Sequence, residues 1–183
     1  YGERLTLECK KAESKVPNDV WETYSAFANT VGGIILLGIE EHSKETDPEK
    51  RFTIGNIVNP MERIKEFWDL IHNPNKVSID ILRDADVGTC EIDGKTIIWI
   101  EVPQADYTQK PVYINGNPMS GTFKRNHEGD YHCKKPEVET MFRDSKDDGN
   151  DGGLIEGYTM DDIDPETLKN YRIRFATWNP DHV

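Results

Sequence analysis

One segment, residues 17–39, constrains the fold more than any other part of the chain. Apolar side chains recur at helical spacing from Val20 to Val31 and predict a helix over 18–31. Gly32-Gly33 predicts the end of that helix, because glycine readily adopts the left-handed conformation found after a helix C-terminus. Residues 34–39 are then apolar throughout. They predict a central strand that is buried on both faces.

The remaining patterns complete an α/β (α+β) domain with mixed sheets, six to eight strands and packed helices. At 4–10, leucine and cysteine side chains alternate with polar ones, which is the period of a half-buried strand. Asp93-Gly94 lies between two apolar runs and predicts a β-hairpin. Further strands are expected at 77–82, 87–92, 95–102, 111–114 and 121–125, and further helices at 61–73, 135–143 and 165–178.

The chain is acidic, but its charge is unevenly distributed. Of its 183 residues, 22 are basic and 34 are acidic, and the net charge of −12 disfavours binding to phosphates. Residues 144–166 hold nine of the acidic residues and one basic residue. We therefore expect a domain over 1–143, an acidic flexible linker over 144–157, and the truncated start of a C-terminal helical segment over 158–183.

Composition also predicts where the protein works. No apolar run approaches the roughly 18 residues that span a bilayer, so we expect no membrane partner. The three cysteines, Cys9, Cys90 and Cys133, are odd in number and widely spaced. This usage argues against a disulfide scaffold and favours the reducing cytoplasm.

Three segments in this order resemble the Schlafen AlbA-like domain: ERLTLECK at 3–10, SAFANTVGGIILLGIE at 25–40, and GTFKR at 121–125. The second segment is long and specific, and the likeness covers about residues 1–143. That family occurs in animal Schlafen proteins, in bacterial transcriptional regulators and in proteins related to the RecG helicase. The resemblance implies mixed β-sheets with packed helices, and a DNA-binding role.

A carboxylate site is the first candidate for chemistry. Glu8 and Lys10 lie two residues apart in a strand and therefore point to the same face, as in nuclease sites where a carboxylate binds Mg²⁺ beside a lysine. By resemblance, Glu3, Glu8, Lys10 and either Glu40 or Glu41 map onto the metal site of Schlafens that cut RNA. The four glutamates would bind Mg²⁺ or Mn²⁺, and all five residues would be catalytic. Alternatively, Glu8 and Lys10 are the solvent-exposed face of an amphipathic strand.

Basic residues form the second candidate site. Lys11, Lys15, Lys124 and Arg125 could contact a nucleic-acid backbone, with aromatic residues nearby to stack on bases. Arg125 is the strongest of the four, because the resemblance places it in the third segment. The alternative is ordinary surface charge.

Residues 29–33, Asn-Thr-Val-Gly-Gly, also have two interpretations. Their backbone amides could bind phosphate. We favour a helix-to-strand turn, in which Asn29 and Thr30 end the helix and the glycines allow close packing.

Three classes of function follow. The leading hypothesis is a nucleic-acid (DNA) binding module of a bacterial transcriptional regulator. One alternative is a divalent-metal-dependent endoribonuclease of Schlafen type, acting on RNA. The other is a protein-interaction or oligomerisation module, which includes a homodimer.

Overall fold

Strands and helices are interspersed along the chain in the computed structural model, which describes residues 5–12, 14–42, 44–47, 49–127, 129–146 and 164–178. The strands are β1 (Leu7–Lys10), β2 (Gly33–Leu37), β3 (Ile39–Glu41), β4 (Phe52–Ile54), β5 (Val87–Ile92), β6 (Lys95–Val102), β7 (Phe123–Asn126) and β8 (Gly129–His132). The α-helices are α1 (Val20–Asn29), α2 (Pro60–Ile71), α3 (Pro118–Gly121), α4 (Lys135–Lys146) and α5 (Pro165–Trp178). This architecture confirms the predicted α/β class with mixed sheets.

The largest sheet has four strands in the order β1-β2-β6-β5. β1 runs parallel to β2, with Glu8 opposite Ile35 and Lys10 opposite Leu37. β6 is antiparallel to both of its neighbours, β2 and β5. The strands β3 and β4 form a separate antiparallel pair, as do β7 and β8. The predicted Asp93-Gly94 hairpin is confirmed: these residues join β5 to β6 with φ angles of 51° and 70°.

The core is built around α1, because this helix is apolar on most of its circumference. Its Trp21, Tyr24 and Phe27 have no exposed surface, and each such buried side chain stabilises the fold by about 1.5–3 kcal/mol. The ring of Trp21 stacks on Phe67 of α2, with ring centroids 5.2 Å apart. Ile35 of β2 belongs to the same cluster. The helix therefore covers one face of the four-stranded sheet.

The predicted strand over 34–39 is wrong in two respects. It breaks at Gly38, whose φ of 97° diverts the chain from β2 into the separate β3-β4 pair. It is also not buried on both faces. Ile35 and Leu37 point into the core, whereas Ile34 is 40% exposed on the opposite face of the sheet.

The predicted strand over 77–82 is also wrong. Val77 makes only an isolated bridge to Ile114. The segment is held instead by the Tyr24 hydroxyl, which donates to the Ile79 carbonyl at 3.2 Å and accepts from the Ile81 amide at 3.0 Å. A side chain of α1 thus satisfies backbone groups that a neighbouring strand would otherwise satisfy.

Two compact units divide the chain, residues 1–148 and 149–183. Within the first, α4 extends to Lys146, three residues beyond the predicted helix end. The second contains α5, close to the predicted last helix. Residues 147–157 of the predicted linker lie outside the described residues. None of the described helices is both long and apolar enough to cross a membrane.

Candidate functional site

Two polar side chains of α1 form hydrogen bonds with the backbone of two segments later in the sequence, at Val112 and at Phe123. Asn29 Nδ2 donates to the Val112 carbonyl at 2.7 Å and to the Phe123 carbonyl at 3.0 Å, while Asn29 Oδ1 accepts from the Val112 amide at 2.9 Å. Ser25 Oγ, one turn earlier, donates to the Val112 carbonyl at 2.7 Å and accepts from the Phe123 amide at 3.0 Å. These bonds place the start of β7 against the helix.

The structure of residues 29–33 confirms the interpretation of this segment as a helix-to-strand turn. Thr30 Oγ1 accepts from the backbone amide of Arg125 at 2.9 Å. A Cβ on Gly33 would lie 2.7 Å from the Phe27 ring, and Gly32 has a φ of 75°. The glycines are therefore required for close packing and for the positive φ, and Thr30 continues the attachment of β7 to the helix.

Arg125, anchored in this way, points into the protein. Its side chain is 1% exposed, and its guanidinium lies 5.2 Å from the centre of the Phe27 ring. Nη2 donates to Glu8 Oε2 at 2.8 Å and to the Leu7 carbonyl at 3.3 Å. Nη1 donates to Asp130 Oδ1 at 2.9 Å. The arginine thus connects β1 with the β7-β8 pair.

The ion pairs continue on both sides of this arginine. Lys10 Nζ lies 2.7 Å from Glu8 Oε1 and 2.9 Å from Asp19 Oδ2. On the other side, Thr23 Oγ1 donates to Asp130 Oδ2 at 2.6 Å. We call the five alternating charges the charge network: Asp19, Lys10, Glu8, Arg125 and Asp130.

The surroundings of Lys10 and Arg125 favour the charged forms of these two side chains. Burial alone would lower the pKa of Lys10, but hydrogen bonds and ion pairs with Glu8 and Asp19 outweigh burial and raise this pKa above its ordinary value. Burial likewise opposes the charge on Arg125, and Asp130 and Glu8 outweigh it, so the pKa of Arg125 is also raised. Both side chains are therefore cations at neutral pH.

Two expectations about these residues are wrong. Glu8 and Lys10 do not form a solvent-exposed strand face: Glu8 is 7% exposed, while Leu5, predicted on the apolar face, is 41% exposed. Arg125 does not lie on the surface, where a phosphate could reach it. The physical reason is the same in both cases, because a buried carboxylate and a buried guanidinium compensate each other's loss of hydration.

The carboxylates of the predicted metal site pair with different basic side chains. β1 and β2 are neighbours, as that prediction requires, and a cleft of about 340 Å³ beyond them is lined by Cys9, Lys10, Lys11, Asp19, Ile39, Glu40 and Glu41. However, Glu40 Oε2 lies 3.0 Å from Lys11 Nζ, and Glu41 Oε1 lies 2.6 Å from Arg51 Nε.

These pairings bear on Mg²⁺ or Mn²⁺ binding. Within the described ranges, no three His, Cys, Asp or Glu side chains are grouped so that they could hold a metal ion. Glu3 lies outside the described residues. Glu8, Glu40 and Glu41 therefore do not fit a shared divalent cation in this arrangement, and no catalytic step is assigned to them or to Lys10.

The other basic residues lie at the surface. Lys15 is exposed and Lys11 is 52% exposed beside Glu40. Lys124 forms an ion pair with Glu137 and lies opposite Tyr131 in the β7-β8 register.

Tyr131 is 55% exposed, and Lys134 and Lys135 follow it at the start of α4. The second carboxylate oxygen of Glu137 accepts from the backbone amide of Lys134 at 2.7 Å, so Glu137 connects the Lys124 side chain to the start of α4. We call Lys124, Tyr131, Lys134 and Lys135 the hairpin surface.

Comparison with known proteins decides the family. Residues 3–134 match the family model described as Schlafen, AlbA_2. The chain belongs to the Schlafen AlbA_2 family. Residues 139–183 match a second model, described as a domain of unknown function, DUF8451. A search among curated proteins gave no match to the AlbA_2 chain.

Two solved structures resemble this AlbA_2 protein. One is the N-terminal domain of a RecG-related protein from Nitrosomonas europaea, whose description names an ATP-dependent DNA helicase. It is 25% identical with a TM-score of 0.50, and the match covers 69% of this chain and 82% of that one. The other, the DIP2311 protein from Corynebacterium diphtheriae, is 16% identical with a TM-score of 0.48, and the match covers 98% of this chain and 31% of that one.

Several residues that build the AlbA_2 site escaped the sequence predictions. Asp130 lies directly opposite Arg125 in β7-β8, so a correct hairpin register would have paired them. Ser25 and Asn29 stand four residues apart in a largely buried helix, a spacing that places two polar groups on one face. Thr23 carries no comparable signal, because its partner Asp130 is distant in sequence.

Proposed function

We propose that this AlbA_2 domain is the DNA-binding module of a bacterial transcriptional regulator, and that the hairpin surface contacts the phosphate backbone. The observation that carries the proposal is that Lys124 lies opposite the exposed Tyr131 in β7-β8, with Lys134 and Lys135 following at the start of α4. Lysines bind phosphate as point charges, and an exposed aromatic ring can pack on sugar or base. Family membership and the likeness to the RecG-related protein support the same role.

The net charge of −12 is compatible with this proposal because charge acts locally. Buried or paired acids such as Glu8 and Glu41 are already balanced by Arg125 and Arg51 and add little to the field outside. On the hairpin surface, the Lys124–Glu137 pair is about one third exposed on both sides. An exposed pair of this kind is worth little, so a phosphate can replace Glu137 as the partner of Lys124 at small cost.

The test is the salt dependence of DNA binding by the 183-residue chain. Fluorescence anisotropy of a labelled duplex of random sequence would give the affinity at a series of salt concentrations. We expect log K to fall linearly with log salt, and a Lys134→Ala/Lys135→Ala double variant to bind more weakly. Its slope should be shallower by roughly 0.9 for each phosphate that the variant no longer neutralises.

Lys65→Ala is the control, because Lys65 is an exposed lysine of α2, a helix that contributes no residue to the hairpin surface. It should bind as the wild type does. Single-stranded DNA and RNA of the same sequence test the choice of nucleic acid. The proposal fails if the wild type shows no salt-dependent binding, or if Lys65→Ala weakens binding as much as the double variant. A stable dimer without DNA affinity would instead favour the interaction-module alternative.

The endoribonuclease alternative stays a prediction that depends on Glu3. The Glu8–Lys10 contact at 2.7 Å agrees with it, but Glu8, Glu40 and Glu41 also pair with three different cations, Arg125, Lys11 and Arg51. Incubation of the same RNA with protein and Mg²⁺, followed by gel analysis with and without EDTA, would reveal cleavage directly.

A further inference from the structure

We propose that Arg125 is a positioning residue: it orients the hairpin surface through ion pairs with Glu8 and Asp130, and it does not itself contact nucleic acid. This inference rests on the proposed DNA-binding function. It concerns the charge network, two members of which, Arg125 and Asp130, lie on β7 and β8 beside Lys124 and Tyr131.

The contacts of the guanidinium argue against a direct role. Its two Nη atoms are held by Glu8 at 2.8 Å, by Asp130 at 2.9 Å and by the Leu7 carbonyl at 3.3 Å, and one face lies over Phe27. The side chain is 1% exposed. A phosphate could bind it only after two ion pairs had broken, which would leave Asp130 without its cation and Glu8 with Lys10 alone.

The position of Arg125 in the chain explains how it could act on Lys124. Adjacent residues of a strand point to opposite faces, so the side chain of Lys124 points outward where that of Arg125 points inward. The guanidinium fixes β7 to β1 through Glu8, and to β8 through Asp130. Lys124 is therefore presented from a strand that is fixed at the next residue.

The two acids that contact Arg125 provide a test, because the two explanations predict opposite changes in DNA affinity when either acid is neutralised. Glu8→Gln and Asp130→Asn each remove one negative charge and nearly preserve shape. If only overall charge mattered, both variants would bind DNA more tightly. If the charge network positions the hairpin surface, both variants should bind more weakly, by about tenfold, which is within the usual range of couplings between sites.

The experiment is the anisotropy titration on the full chain, together with thermal unfolding to choose a temperature at which every variant is folded. Asp69→Asn is the control, because it removes a mostly exposed negative charge on α2. We expect it to leave affinity unchanged or slightly higher. For Glu8→Gln and Asp130→Asn we expect weaker binding with an unchanged salt slope, since each variant still neutralises the same phosphates.

Arg125→Lys keeps the positive charge but cannot reproduce two separately directed guanidinium contacts. It should also bind more weakly with an unchanged slope. If Glu8→Gln does not fold, Asp130→Asn carries the same test, because the Glu8–Arg125 pair remains. Wild-type affinity in both acid variants, or tighter binding, overturns the positioning role while DNA binding stands. Absence of binding by the wild type overturns both proposals.

Discussion

The side chain of Asn29 pairs with the backbone of Val112 as a neighbouring strand would, donating to its carbonyl at 2.7 Å and accepting from its amide at 2.9 Å. The side-chain Nδ2 of Asn29 also donates to the Phe123 carbonyl. Asn29 is 7% exposed, so water cannot readily replace these bonds. The most specific sequence segment of the chain therefore serves the fold, and its polar residues hold β7 in place.

Asn29→Ala should be strongly destabilising. It removes the partners of the Val112 amide and the Phe123 carbonyl in the interior, and we expect a loss of about 2–3 kcal/mol in the free energy of unfolding. Urea denaturation followed by circular dichroism would measure it. Asn75→Ala, at an exposed asparagine, is the control and should change stability by less than about 0.5 kcal/mol. Equal effects of the two substitutions would contradict the structural role of Asn29.

Gly33 and Phe27 should be energetically coupled. A Cβ on Gly33 would approach the Phe27 ring to 2.7 Å, so Gly33→Ala should destabilise the protein by about 1–3 kcal/mol through overpacking. Phe27→Leu opens space at the same point. In a double-mutant cycle, the double variant should therefore lose less stability than the sum of the two single losses. Simple additivity would show that the glycine is not required by this contact.

The secondary structure was predictable where local patterns decide it. The periodicity of α1, the Gly32-Gly33 turn and the Asp93-Gly94 hairpin all depend on neighbouring residues, and all three are confirmed. The break at Gly38 was missed because a single glycine in an apolar run looks like part of a strand. The segment 77–82 has the apolar residues of a strand, but the Tyr24 hydroxyl, rather than a neighbouring strand, satisfies its backbone groups at Ile79 and Ile81.

The arrangement of the site depended on contacts that sequence spacing does not reveal. The alternation in β1 correctly predicts that Glu8 and Lys10 share one face of the strand. It does not show which face of the strand is buried. The answer depends on Arg125, which is 117 residues from Glu8 in the chain. A guanidinium at that point makes the polar face the inner one. The exposed lysines were easier to predict, since charged side chains lie at the surface by default.

The cysteines should differ in reactivity. Burial raises the pKa of the Cys133 thiol to about 11, with Glu137 adding to this effect, and the residue is 4% exposed. The thiolate is the reactive form, so at pH 8 roughly one thiol in a thousand would be ionised at Cys133. Iodoacetamide should therefore modify the exposed Cys90 first.

Mass spectrometry of peptides would measure both rates. The rate at Cys133 should rise about tenfold for each pH unit between 7 and 9, because the pKa lies above this range. Cys133→Ser should remove the slow modification at position 133 and leave the rate at Cys90 unchanged. A Cys133 rate that levels off below pH 9, or that equals the rate at Cys90, would contradict the buried, neutral thiol.

The most direct test of the central claim is a titration of the ¹⁵N-labelled chain with duplex DNA, followed by two-dimensional NMR. We expect the largest amide shifts around the hairpin surface, at Lys124, Tyr131, Lys134 and Lys135, and we expect them to diminish with added salt. The amides of α2 around Lys65 should change little. Shifts centred on α2, or the absence of any shift at low salt, would contradict the assignment of DNA binding to the hairpin surface.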